Sequence, residues 1–178
     1  STTLYPDAAL LRPDKGAPVD VQNKDGSTAL HVASLSGQKE VVQLLLDKGA
    51  SFDIQNNYGY TALHLASLRG LKAGVQLLLD KGASLDVQNK EGMTALHYAS
   101  SEGHKELAQL LIDKGASLDV QDEFGSTALH RASNNGHKEV AQLLLDKGAS
   151  LDVRDNEYTN ARTLPRVDVA DSPQEGAQ

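Results

Sequence analysis

The tetrapeptide Thr-Ala-Leu-His begins at Thr28, Thr61, Thr94 and Thr127, each copy 33 residues after the last. A second motif, Asp-Lys-Gly-Ala, keeps the same step at Asp47, Asp80, Asp113 and Asp146, with a forerunner at Asp14 one period upstream. Two motifs held in one register over four units mean that the chain is built by repetition. A repeat of this length is a single supersecondary unit, which buries its apolar residues only against its neighbours.

Each unit reads as helix, turn, helix and extended loop. In the first, Thr28 opens a short helix whose residues Ala29, Leu30, Val32 and Ala33 lead to Gly37. A second helix runs from about Gln38 to Lys48, with Val41, Val42, Leu44, Leu45 and Leu46 as a broad apolar face. Glu40 in its first turn and Lys48 in its last follow the order the helix dipole prefers. Gly49 stops it, as Gly82, Gly115 and Gly148 stop the later copies, in the left-handed conformation that glycine adopts most cheaply. Ser51 to Gln55 then alternates with period two, as an extended segment with one buried side does, and Gly59, Gly92 and Gly125 mark turns. Aromatic residues are only 4% of the chain, so the core is expected to be Leu, Val and Ala, which suits closely packed helices.

Taken together, the Thr-Ala-Leu-His motif, the Lys-Glu-(Val or Leu) helix start, Leu-Leu-Leu-Asp-Lys-Gly-Ala and the 33-residue period resemble the ankyrin-repeat family. The resemblance implies an all-α solenoid of helix-turn-helix units with projecting β-hairpin loops, working as a protein-binding module without a cofactor. It divides the chain into a vestigial N-terminal cap over 1–16, a repeat domain of about four units over 17–159, and an aborted fifth repeat with a disordered tail over 160–178. Pro13 stands where Leu46 stands later and forbids helix continuation there; Asn160-Ala161-Arg162-Thr163 replaces Thr-Ala-Leu-His at the other end. Thin caps leave apolar ends, so the expected state is a monomer with end-to-end self-association as a secondary hypothesis.

The net charge of −7 and the absence of a basic run argue against nucleic acid and against an anionic membrane surface. Without cysteine there is no disulfide framework, and no apolar run approaches the length of a membrane span. Intracellular, most simply cytoplasmic, is the default location. Six histidines invite a metal or catalytic reading. Four of them, His31, His64, His97 and His130, end the repeated tetrapeptide, and a stack separates equivalent positions by roughly 8–10 Å, too far for shared ligation. The resemblance implies that they are hydrogen-bonded with Thr28, Thr61, Thr94 and Thr127 within and between loops. No nucleophile elbow, phosphate loop or paired metal-binding histidine is present, so no enzyme is expected. The recurring Asp20, Asp53, Asp86, Asp119 and Asp152 read as short side chains that satisfy turn amides.

Positions that differ between units are free of the scaffold, and the resemblance places loop tips and first helices on the face where such repeats bind. Tyr58, Tyr60, Leu68, Arg69, Met93, Tyr98, Glu102, Phe124, Arg131 and Asn134 are the candidate contact residues. Aromatic, Met and Arg side chains are enriched at protein interfaces. The patch centres on the second and third units and runs into the fourth. Two other readings stand beside this one: an engineered or sequence-averaged scaffold, and the targeting or regulatory segment of a larger enzyme. One irregularity is internal. Leu71-Lys72-Ala73-Gly74 replaces the usual helix start in the second unit, and Gly74 is expected to weaken that helix by roughly 1 kcal/mol.

Overall fold

A computed structural model describes residues 18–156. It contains four helix pairs: α1 (Ala29–Ser36) with α2 (Lys39–Asp47), α3 (Ala62–Leu68) with α4 (Lys72–Asp80), α5 (Ala95–Ser101) with α6 (Lys105–Asp113), and α7 (Ala128–Asn134) with α8 (Lys138–Asp146). First helices pack on first helices, α1 on α3, α3 on α5 and α5 on α7, while α2, α4, α6 and α8 form a second layer. The expected caps and tail, with Pro13 and Asn160, lie outside the described residues.

The helices begin and end where local chemistry dictates. Thr28, Thr61, Thr94 and Thr127 are extended N-caps, each side chain accepting the backbone N–H of the histidine three residues on. Second helices end in a common bonding pattern. Gly49 N–H donates to the Leu46 carbonyl and Ala50 N–H to that of Leu45, with Gly49 at φ 86°, which closes the last turn and buries Ala50 against it. The repeated Asp of Asp-Lys-Gly-Ala accepts from a glutamine one turn earlier, as in Gln43 to Asp47 at 2.8 Å and Gln109 to Asp113 at 2.7 Å.

The core is a column of equivalent residues. Leu30, Leu63, Leu96 and Leu129 are buried on the first helices, beside Ala33, Ala66, Ala99 and Ala132, whose small side chains let successive helices approach closely. Leu78, Leu111 and Leu144 close the core from the second helices. Each such leucine contributes about 1.5–3 kcal/mol by leaving water.

Two expectations need correction. The apolar face of α2 is narrower than its sequence: Val42 and Leu46 are buried, but Val41 and Leu44 are 44% and 55% exposed. Residues four apart share one side of the helix, and Val42 and Leu46 form the stripe that α2 buries. Leu107 and Val140, at the position equivalent to Val41, are buried because a preceding described unit packs on them. The second correction concerns the loops, which form no strand among the described residues. Neighbouring loops share one backbone bond per junction, Asn57 N–H to Asp25 O (2.9 Å), Lys90 to Tyr58 (3.1 Å), Glu123 to Glu91 (2.8 Å) and Asn156 to Phe124 (2.8 Å). Side chains add to this: Gln55 Nε2 donates to Gly59 O of its own loop and to Gln88 O of the next, Gln88 and Gln121 repeat this, and Asn57 and Asn156 Nδ2 donate to Lys24 O and Glu123 O of the preceding loops.

Candidate functional site

The loop and first helix of each unit are held by one buried histidine. In His31, His64, His97 and His130, Nδ1 accepts the backbone N–H of the capping threonine at 3.0–3.2 Å. An Nδ1 that accepts leaves the ring proton on Nε2. For His31, His64 and His97, Nε2 donates to the carbonyl of Tyr60, Met93 and Ser126 in the next unit, at 2.9, 2.9 and 3.0 Å. Each of these histidines therefore caps its own helix and ties down the following loop. Burial, by desolvating the charged form, holds His64 and His97 below the usual imidazole range. Among the described residues no three His, Asp or Glu side chains gather as a metal-binding group.

A residue that sequence reasoning missed organises each loop tip. Oδ1 of Asn56 accepts the N–H groups of Tyr58 and Tyr60, both at 3.0 Å. Asn23, Asn89 and Asp122 do the same in their own loops. The signal was present, since these residues also recur every 33 positions. The Asp20 family has a different task from the one expected. Asp20, Asp86 and Asp119 accept the N–H of Ser51, Ser117 and Ser150 in the following unit, each at 3.0 Å, and so join units instead of closing their own turns.

This framework sorts the candidate contact residues. Met93 and Tyr98 are 5% and 7% exposed, so neither presents an open surface. Asn89 Nδ2 donates to Tyr98 Oη at 2.8 Å, and Tyr98 donates onward to Tyr60 Oη at 3.0 Å. Desolvation, reinforced by Tyr60, pushes the Tyr98 phenol far up. In the fourth unit the equivalent pair is Asp122 and Arg131, joined through Nε and Nη2 of the guanidinium. Arg131 is thus held inward, with Cζ 5.9 Å from the Phe124 ring centroid.

The remaining candidates stay accessible. Tyr58 and Phe124 are 58% and 57% exposed at equivalent tips two units apart. Arg69, Glu102 and Asn134 are exposed near the ends of the first helices, and Tyr60 and Leu68 are partly exposed. Tyr60 packs between Tyr58 and Tyr98, with ring centroids 6.3 and 5.8 Å away. The result is a stiff surface of tips in which aromatic side chains rest on hydrogen-bonded loops. No described helix is long and apolar enough to cross a membrane.

Comparison with curated proteins gave no match. A family model described as ankyrin repeats (3 copies) matches residues 8–89 and 72–155. Ankyrin repeats generally mediate protein–protein interaction and are typically non-catalytic. The helix pairs stacked in register, the threonine–histidine caps and this match, which spans most of the sequence, make the chain a member of the ankyrin-repeat family.

Proposed function

We propose that the chain binds a partner protein, without catalysis or cofactor, through its loop tips and first helices. The observation that carries this reading is the exposure of Tyr58 and Phe124 on equivalent, rigidly bonded tips. Large aromatic side chains presented this way offer contact area at little further entropic cost. Arg69, Glu102 and Asn134 provide polar contacts around them, and Tyr60 and Leu68 provide partly covered apolar area. Met93 and Tyr98 leave the contact set and support it from beneath, while Arg131 steadies Phe124.

The test is retention of partner proteins on immobilised chain, compared between the native sequence and Tyr58→Ala/Phe124→Ala. The double variant is expected to keep its helical circular dichroism and lose the specific partner. Equal retention by both proteins would remove the assignment. A control pair on the second helices, Lys105→Ala/Lys138→Ala, is expected to retain it.

A further inference from the structure

We infer that the tip of the second repeat takes an arginine side chain of the partner protein, stacked on Tyr58 between the carboxylates of Asp25 and Glu91. The inference rests on the binding face proposed above and names what that face recognises at one point.

The fourth repeat holds the same arrangement, completed within the chain. The Arg131 guanidinium lies 5.9 Å from the centroid of the tip ring, Phe124, and Asp122 binds that guanidinium through Nε and Nη2. The cation gains both from the negative face of the ring and from the fixed acid. Two units earlier the ring position is Tyr58, the acid position is Asn56 and the cation position is Leu65. The second repeat therefore has the exposed ring without a cation of its own.

Acids reach this ring from its neighbours. At the place of Tyr58 and Phe124, the first and third repeats carry Asp25 and Glu91, both exposed. Backbone bonds set these tips on either side of Tyr58: Asn57 N–H donates to the Asp25 carbonyl at 2.9 Å, and Lys90 N–H donates to the Tyr58 carbonyl at 3.1 Å. Neither carboxylate forms a hydrogen bond or an ion pair among the described residues, and the adjacent Lys24 and Lys90 do not pair with them. Burial and Tyr60 raise the Tyr98 phenol, and the charge of Glu91 adds to the shift, so this carboxylate acts on the aromatic cluster. Tyr60 lies beside Tyr58, tilted by 47°, and adds apolar surface for an aliphatic stem. A guanidinium suits the place better than an ammonium, because it stacks flat on a ring while its edge N–H groups point outward to acids on both sides.

The probe is acetyl-Gly-Arg-Gly-amide, titrated into the full chain by amide-detected NMR beside the same peptide carrying citrulline, which keeps the shape of arginine without its charge. Saturable shifts centred on residues 25, 57–60 and 90–92 are expected with the arginine peptide, and roughly fivefold weaker binding with the citrulline peptide. Tyr58→Ala and Asp25→Asn/Glu91→Gln are each expected to weaken the arginine peptide roughly fivefold, with the amide shifts of α6 and α8 left in place. Absence of saturable shifts, equal binding of the citrulline peptide, or undiminished binding by Asp25→Asn/Glu91→Gln would overturn the proposal. Partner retention separates it from the broader reading. If Tyr58→Ala/Phe124→Ala loses the partner while Asp25→Asn/Glu91→Gln keeps it at full strength, the tips bind but the arginine assignment falls. Retention by Tyr58→Ala/Phe124→Ala would remove the binding face itself, and the arginine site with it.

Discussion

The Arg131 guanidinium donates from Nε to Asp122 Oδ2 at 2.9 Å, and the carboxylate it reaches is wholly buried. The pair occupies the positions held by Asn89 and Tyr98 one unit earlier and by Asn56 and Leu65 two units earlier. In each loop, Oδ1 of the Asn or Asp serves the turn amides. In the third and fourth units the residue nine positions on binds the atom that remains.

Removing only one member of the charged pair strands the other. Arg131→Leu is expected to destabilise the chain by about 3 kcal/mol, because Asp122 keeps a buried charge without its cation. Asp122→Asn/Arg131→Leu, which recreates the Asn56–Leu65 arrangement, is expected to recover most of that loss. Urea unfolding of the two variants measures it; equal stability of single and double variants would contradict the account.

Tyr98→Phe deletes the hydroxyl between Asn89 and Tyr60 while keeping the ring. It leaves the buried Asn89 Nδ2 donor without its acceptor, at a cost of about 1–2 kcal/mol. A melting temperature unchanged by calorimetry would show that the link contributes nothing. The native phenol should also stay protonated through alkaline titration until the chain unfolds, since burial favours its neutral form.

Stability should fall with acid in a definite direction. His64 and His97 are held below the usual 6.5 by burial, so the unfolded chain takes up protons first as pH drops. Their contribution is therefore complete above 6.5 and is lost as pH falls from there through the folded-state values. A protonated Nδ1 also faces the threonine N–H it should accept from. Urea midpoints are expected to decrease between about pH 7.5 and about pH 5; a constant midpoint would refute the linkage.

Two glycines should respond oppositely to alanine. Gly59 sits at φ 81° with an added Cβ 2.7 Å from the backbone N of Lys90, so Gly59→Ala must push neighbouring loops apart and is expected to cost about 1–3 kcal/mol. Gly74 lies within α4 beside open space, and Gly74→Ala should stabilise by roughly 1 kcal/mol. Thermal melts that move in the same direction would contradict this reading. Hydrogen exchange at Val75 is expected to slow in Gly74→Ala, because α4 starts at Lys72 like its counterparts yet carries the residue least suited to a helix.

The repeat itself was legible because it depends on local chemistry. A threonine cap, a histidine at the third helical position and a Lys-Gly-Ala stop specify helix ends within a few residues, and their 33-residue recurrence specifies stacking. The burial of Leu30, Leu63, Leu96 and Leu129 followed from the same periodicity. Exposure at the variable positions did not. Val32, Leu65, Tyr98 and Arg131 stand at one place in the unit, yet Val32 is exposed and Tyr98 is buried. The loop residues nine positions earlier, Asn23 and Asn89, are the same, so the difference depends on whether a described unit packs alongside. Such contacts join residues from different parts of a unit or from neighbouring units, and no local pattern encodes them. The sequence alone thus determined the solenoid and its unit. Only tertiary packing decided that Tyr58 and Phe124 stay open, that Met93, Tyr98 and Arg131 turn inward, and that Gly74 lies beside open space, because burial is a property of neighbours.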